Sequence, residues 1–232
     1  MNFKKTLFLA VFLVAAFVAM NLNFSPLVGA ENQFFTVFQF FGPMAGAFLG
    51  TPLGILAVLG SQLLNMVVFG KAFSLLNILR LLPMLFAVFY FAKFRKDKLS
   101  NAAMVVIPLV AMLLFMTHPI AGQAWYFSLY WLIPPLGILL PNKIPGKLFL
   151  RSLGATFTTH AVGGVIWLYT VPMTAAQWTA LVPVVAFERL LFASGIAVSY
   201  VVANTLLDKL PEKVRIEALH IDKAYVLGRQ RA

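Results

Sequence analysis

Two histidine and tryptophan pairs recur with the same spacing in the second half of the chain. The segment from Phe115 to Trp125, FMTHPIAGQAW, aligns without gaps on the segment from Phe157 to Trp167, FTTHAVGGVIW. The copies share Phe, Thr, His, Gly and Trp, and they hold two of the three histidines and two of the four tryptophans of the chain. We interpret them as parts of a duplicated helical hairpin.

These residue types suit the binding of a small planar molecule. On an α-helix, each copy brings a phenyl ring, an imidazole, a glycine and an indole onto one face, because the spacings are three and four residues. Imidazole donates and accepts hydrogen bonds, indole offers a flat ring with one donor, and glycine leaves room for a planar guest. The candidate substrate-binding residues are His118, Trp125, Tyr126, His160, Trp167, Tyr169 and Glu188. The alternative is that the tryptophans form an interfacial aromatic belt and the histidines hydrogen-bond within the protein.

Catalysis and metal binding have little support in the sequence. The absence of cysteine excludes disulfides, cysteine-ligated zinc, iron–sulfur clusters and thiol catalysis. The motifs HExxH, GxSxG and the P-loop are also absent. We therefore expect a protein without cofactor, metal or enzymatic activity. The alternative is an intramembrane metal-dependent enzyme, which requires that His118, His160 and Glu188 converge.

The composition indicates a membrane protein. Hydrophobic residues make up 61% of the chain and charged residues only 11%, against about 25% charged residues in soluble domains. Apolar runs of about 17–20 residues recur, and each can cross a hydrocarbon core as a helix. The sequence thus predicts an all-α, polytopic transmembrane helix bundle of about six to eight helices. We expect helices over residues 5–24, 34–50, 52–69, 77–94, 101–118, 125–140, 148–170 and 177–207.

The chain divides into one membrane domain and a tail. Residues 1–207 form the helical domain, with the internal repeat over about 101–141 and 148–207, and residues 208–232 form a basic or amphipathic tail. The net charge of +11 is concentrated in connections between apolar runs, so it indicates topology and not nucleic-acid binding. The basic clusters Lys93–Lys98 and Lys143–Arg151 place both termini in the cytoplasm, in a cell membrane. An alternative for residues 1–30 is a cleaved signal peptide ending at Ala30.

Two further features lie within the apolar segments. Gly42, Gly46, Gly50 and Gly54 follow one another at every fourth residue, which predicts close helix packing or a thin wall beside a ligand cavity. Pro43 allows a break in this stretch.

Polar residues within apolar runs are functional candidates by default; they are Gln62, Asn65, Asn77, Arg80, Glu188 and Arg189. For the last two, a position at the outer membrane interface is the simpler expectation.

Residues 5–207 resemble the S components of energy-coupling factor transporters. The resemblance rests on an Ala-xxx-Ala first helix, the run FGPMAGAFLG before a third helix, and later helices that carry tryptophan. It implies a subunit that binds a vitamin-like or heterocyclic solute and docks on a transmembrane coupling subunit driven by two ATPases. Ala15 and Ala19 then face that partner, and the cavity opens outward near Trp125 and Trp167. The family typically has six helices, so a count of eight here implies re-entrant segments or a different family.

The function expected from the sequence is therefore solute uptake. The chain is the membrane-embedded, substrate-binding subunit of a small-molecule transporter, with the lipid bilayer, a coupling subunit and ABC-type ATPases as partners. The alternatives are the metal-dependent enzyme and a ligand-free structural or assembly protein.

Overall fold

The computed structural model describes residues 3–29, 31, 33–141, 145–211 and 219–228. Within this part, the chain forms a bundle of α-helices with one two-stranded β-ribbon. The helices are α1 Phe3–Ala19, α2 Ala45–Leu49, α3 Thr51–Val68, α4 Leu75–Leu79, α5 Leu82–Lys93, α6 Lys98–Met116, α7 Ala121–Ala124, α8 Ile133–Leu139, α9 Lys147–Thr170 and α10 Ala175–Asp208. The strands are β1 Asn23–Pro26 and β2 Phe34–Thr36, paired antiparallel.

The all-α transmembrane bundle predicted from the sequence is confirmed. Four helical segments of the described chain are long and apolar enough to cross a membrane: Thr51–Val68, Leu75–Lys93, Lys98–Met116 and Ala175–Asp208. The apolar α1 is shorter, and α9 has 24 residues, about 36 Å at 1.5 Å per residue, with a more polar composition. The protein is therefore a membrane protein.

Three of the predicted helices are interrupted in the structure. The helix expected over residues 77–94 is interrupted only by the turn at Arg80 and Leu81, between α4 and α5, whereas the other two are broken over longer stretches. Residues 34–50, expected as one helix, contain β2, two 3-10 turns over Val37–Phe40 and Gly42–Met44, and α2. Residues 125–140 contain a 3-10 segment over Trp125–Leu132 before α8. Prolines mark both places, Pro43 in the first and Pro134 at the start of α8, because proline lacks the N–H that a continuing α-helix needs.

The glycine run forms a sharp turn between two packed helices. Gly50 has a φ of +85°, which only glycine adopts without strain, and α3 begins at the next residue. The turn brings α2 against α3 so closely that a Cβ added at Gly54 would overlap the backbone of Gly46. The close packing predicted for this run is thus present between α2 and α3. The glycines lie on these two helices and in the turns beside them, and not on one straight helix.

The bundle has two distinct ends. Within the described residues the chain runs between them eight times, as α1, the broken segment 34–49, α3, α4 with α5, α6, the broken segment 121–139, α9 and α10. The basic end holds the C-terminus of α5, the N-termini of α6 and α9, and the C-terminus of α10. The cations described there include Lys93, Arg95, Lys96, Lys98, Lys147, Arg151, Lys209 and Lys223. We call the opposite end, which holds the β-ribbon, the cavity end.

The described part of the tail packs on the basic end. The backbone N–H of His220 donates to the Phe48 carbonyl, and that of Asp222 donates to Asn204 Oδ1. Leu219 is buried in the core. Residues 219–228 are therefore attached to the bundle and not separate from it. Residues 212–218 and 229–232 of the tail, as well as Ala30 and Lys143, lie outside the described residues.

Candidate functional site

A cavity of about 270 Å³ lies at the cavity end of the bundle. Its wall is built from segments distant in sequence: the β-ribbon, the C-terminal half of α3, α4, the start of α5, the second half of α9 and the first half of α10. Apolar side chains such as Met66, Met84 and Phe127 alternate in the wall with polar and charged ones. This mixture is typical of sites for small organic molecules.

One side of the wall carries a lysine held by an amide. The Nζ of Lys71, in the connection between α3 and α4, donates to Asn65 Oδ1 at 2.8 Å. Partial burial, and then the positive charge of Arg80, lower the pKa of Lys71 from its usual value. Gln62 and Asn77 also line this side, and their side-chain amides donate to the carbonyls of Leu81 and Ala72.

An arginine lies over an indole at the next part of the wall. The guanidinium carbon of Arg80 is 5.9 Å from the centroid of the Trp167 ring, within the range of a cation–π contact. The structure gives the Arg80 side chain no hydrogen bond to any described residue. Trp167 is itself fixed, because its Nε1 donates to the Val28 carbonyl at 2.9 Å. The loop of the β-ribbon is thereby attached to α9.

A buried ion pair on α10 forms the opposite side of the wall. Glu188 is 6% exposed and Arg189 is 1% exposed, and Arg189 Nη2 donates to Glu188 Oε2 at 3.1 Å. The Ser25 hydroxyl of β1 donates to Glu188 Oε1. The Arg189 guanidinium also lies over the rings of Phe35 and Phe192, at 4.5 and 4.7 Å. The β-ribbon covers this pair, so both side chains are buried within the protein, and their position at the outer membrane interface stays a prediction.

His160 and Trp178 complete the wall. The Nε1 of Trp131 donates to His160 Nδ1 at 3.0 Å, so a neutral imidazole carries its hydrogen on Nε2. Trp178 is 2% exposed, and its Nε1 has no hydrogen-bond partner among the described residues.

The cavity is electropositive. Its wall contains three cationic side chains, Lys71, Arg80 and Arg189, and one carboxylate, that of Glu188. Because Glu188 pairs with Arg189, the charges of Lys71 and Arg80 remain uncompensated by any described residue of the wall. An electropositive and partly apolar cavity favours a guest that carries negative charge.

Three of the seven residues selected from the sequence lie on the cavity wall, namely His160, Trp167 and Glu188. The other four lie elsewhere. His118 packs edge-on against Tyr169, with ring centroids 5.1 Å apart, and the Tyr169 hydroxyl donates to the Leu114 carbonyl. Trp125 is 51% exposed, and the Tyr126 hydroxyl is 2.7 Å from Thr179 Oγ1. The two copies of the His/Trp pattern therefore do not meet in one cavity.

The first copy fails to form a helical face because its helix ends early. α6 stops at Met116, and Pro119 follows two residues after Thr117. His118 and Trp125 consequently lie on different elements, so the single face expected for this copy was wrong. In the second copy Phe157, His160, Gly164 and Trp167 all lie on α9 as expected, because no proline interrupts it.

The sequence contained a signal for two cavity residues that were not among the candidate substrate-binding residues. Arg80 and Arg189 stand in long apolar runs, and intramembrane charge marks functional candidates. Their convergence with Lys71 depends on the β-ribbon and on the order of the helices, which periodicity does not give. The ribbon itself was missed because β1 begins within the helix predicted over residues 5–24 and β2 lies at the start of the apolar segment predicted as a helix over 34–50.

The placement of His118 bears on the metal-dependent alternative. That alternative needs His118, His160 and Glu188 together, and His118 is not part of the cavity wall. Nor do the described residues include any group of three or more His, Cys, Asp or Glu side chains arranged to hold a metal ion.

The predicted docking residues occupy different environments on α1. Ala15 is exposed, whereas Ala19 is 5% exposed and belongs to the core. The exposed face of α1 also carries Val11, Val14 and Val18.

Comparison of the chain with protein-family models, with curated proteins and with solved structures gave no match.

Proposed function

We propose that this protein is the membrane-embedded, substrate-binding subunit of a small-molecule uptake transporter, and that it binds its solute without catalysis. The observation that carries the proposal is the cavity of about 270 Å³, lined by aromatic and charged side chains at one end of the bundle. A ligand-free structural subunit has no need of a half-buried, uncompensated arginine such as Arg80 in the wall of a cavity, because partial burial of a charge is costly.

The distribution of charge supports uptake from outside the cell. Basic connections of membrane proteins stay in the cytoplasm, and Lys93 to Lys98, Lys147 and Arg151 all lie at the basic end. With the basic end on the cytoplasmic side of a cell membrane, the cavity opens to the outside of the cell. A solute then reaches the cavity from the external medium.

Transport against a gradient requires an energy source outside this chain. The sequence has no P-loop, so ATP hydrolysis would come from ABC-type ATPases acting through a coupling subunit, as the resemblance to S components implies. The exposed face of α1 with Ala15, Val11, Val14 and Val18 is the surface that we assign to that contact. Ala19, being buried, would contribute to packing of α1 instead.

The proposal is tested by the molecule that purifies with the protein. We expect protein extracted from its native membrane in mild detergent to release a stoichiometric small organic solute on denaturation, as detected by mass spectrometry. Gly163 lines the cavity, and a Cβ there would make only ordinary contact with Pro83, at 3.5 Å. Gly163→Leu should therefore fold but occupy the cavity and abolish the bound solute.

Gly60→Leu is the matched control. Gly60 is exposed on α3 and a Cβ there would meet nothing within 4 Å, so the larger side chain should leave the solute bound. Folded wild-type protein without a solute, and without binding of any compound from a metabolite extract, would refute the proposal. Equal solute retention in Gly163→Leu and Gly60→Leu would show that the solute does not bind in this cavity.

A further inference from the structure

The unsatisfied buried polar atoms of the cavity wall are all hydrogen-bond donors. Among the described residues of the wall they are Nε and Nη1 of Arg189 and Nε1 of Trp178. Buried donors in folded proteins nearly always have an acceptor. The described part of the wall therefore lacks acceptors for these donors, and this local excess of donors favours a guest that brings acceptor atoms.

The carboxylate in the wall does not supply those acceptors. Oε1 of Glu188 accepts from the Ser25 hydroxyl, and Oε2 accepts from Arg189 Nη2. Asn65 Oδ1 is likewise taken by Lys71. These acceptors are thus already engaged within the protein, whereas Arg80 is hydrogen-bonded to no described residue.

The geometry around Arg80 suits a carboxylate on a flat ring. A guanidinium presents planar, paired N–H donors that match the two oxygens of a carboxylate. Because Arg80 lies over the Trp167 indole, a ring bonded to that carboxylate comes next to aromatic surface in the same wall. Lys71 supplies a second positive charge on the same side.

We propose that the solute is a flat-ringed organic anion whose carboxylate pairs with Arg80 and whose ring packs against aromatic side chains of the wall beside Trp167. This proposal rests on the proposed function, since it assigns the substrate class of the same cavity. It excludes neutral heterocycles and cations as preferred solutes.

Three probes of the same shape test the assignment by isothermal titration of the purified, solute-free protein. They are naphthalene-2-carboxylate, naphthalene-2-carboxamide and 2-naphthylmethylammonium, which carry negative, zero and positive charge on one ring system. We expect the carboxylate to bind at least about tenfold more tightly than the amide, and the ammonium to bind most weakly. In Arg80→Met, the affinities for the carboxylate and the amide should differ by no more than about threefold. In Arg80→Lys, the preference for the carboxylate should lie between those of the wild-type protein and Arg80→Met.

Lys98→Met is the control, because it removes one exposed positive charge at the opposite end of the bundle and should leave the order of affinities unchanged. Tighter binding of the amide or the ammonium overturns the assignment, as does binding of none of the probes. An unchanged preference in folded Arg80→Met overturns the role of Arg80. If Arg80→Met does not fold, the order of the three probes on wild-type protein still decides the substrate class. A neutral co-purified solute would overturn the anion assignment while leaving solute binding intact.

Discussion

His160 connects the cavity wall to the aromatic core of the bundle. Its Nδ1 accepts from Trp131, a fully buried side chain, and its ring packs against Phe127 and Phe157. No described residue hydrogen-bonds its Nε2, which leaves this atom as a donor for a molecule in the cavity. His160 can therefore affect both folding and binding, and an experiment must separate the two.

We expect His160→Ala to reduce solute retention roughly tenfold, since the loss of a buried hydrogen bond costs about 1–3 kcal/mol and each 1.4 kcal/mol is about tenfold. Trp131→Phe removes the same Trp–His hydrogen bond but leaves the imidazole in the wall. It should lower the melting temperature while retaining most of the solute. The measurement is melting temperature beside the amount of bound solute for each variant.

His118→Ala provides the comparison within the repeat. Because His118 packs on Tyr169 away from the cavity, its loss should change solute retention by less than about twofold. Equal losses of solute in His118→Ala and His160→Ala, at equal folded yield, would contradict the placement of the site.

At the scale of elements, the contact between α2 and α3 depends on two glycines. A Cβ at Gly54 would overlap the backbone of Gly46, and one at Gly46 would lie 2.9 Å from side-chain atoms of Ala92 and Val88. Helices that approach this closely cannot separate without losing packing against α5.

Gly54→Ala should therefore destabilise the protein by about 1–3 kcal/mol, the usual cost of inserting a group into a packed interface. Gly60→Ala, on the same helix but in open space, should leave the melting temperature unchanged or slightly higher, because alanine favours helix. Thermal unfolding in detergent compares the two variants. A melting temperature of Gly54→Ala equal to that of Gly60→Ala would show that α2 and α3 are not in close contact.

The elements that the sequence predicts well are the long, uninterrupted ones. The expected helices at 52–69 and 148–170 agree with α3 and α9 to within one residue at each end, because apolar runs of that length have few other solutions in lipid. The segments 34–50 and 125–140 are as apolar but contain Pro43 and Pro134. Their local 3-10 geometry depends on neighbouring helices that satisfy the freed backbone groups, for example Tyr90, whose hydroxyl donates to the Pro134 carbonyl.

The site was less accessible to sequence reasoning than the fold. Periodicity shows which residues share a helix face, and it placed His160 and Trp167 on the same face of α9. Periodicity does not show which helices are neighbours. The prediction therefore placed that face beside the residues around His118, whereas in the structure it shares the cavity wall with Arg80 and Arg189. The repeat led to this error, because similar sequences were assumed to have similar local structure despite Pro119.

At the scale of the whole molecule, the positively charged side chains at the two ends of the bundle have different surroundings. At the basic end Arg95 donates to the carbonyls of Gly137 and Leu140, and Arg151 donates to the Phe91 carbonyl, so these cations bind the backbone of neighbouring helices. At the cavity end Arg80 and Lys71 face an open space. This asymmetry underlies the account of an outward-facing cavity that receives an organic anion.

The absence of natural cysteines allows a direct test of that account in intact cells. Thr36 lies on β2 and lines the cavity, and Lys98 is exposed at the basic end. We expect a single cysteine in Thr36→Cys to react with membrane-impermeant methanethiosulfonates added outside, and a sulfonate-bearing reagent to react faster than a trimethylammonium-bearing one. Lys98→Cys should react only after the membrane is permeabilised. Reaction of Lys98→Cys in intact cells with protection of Thr36→Cys, or faster reaction of Thr36→Cys with the cationic reagent, would contradict the account.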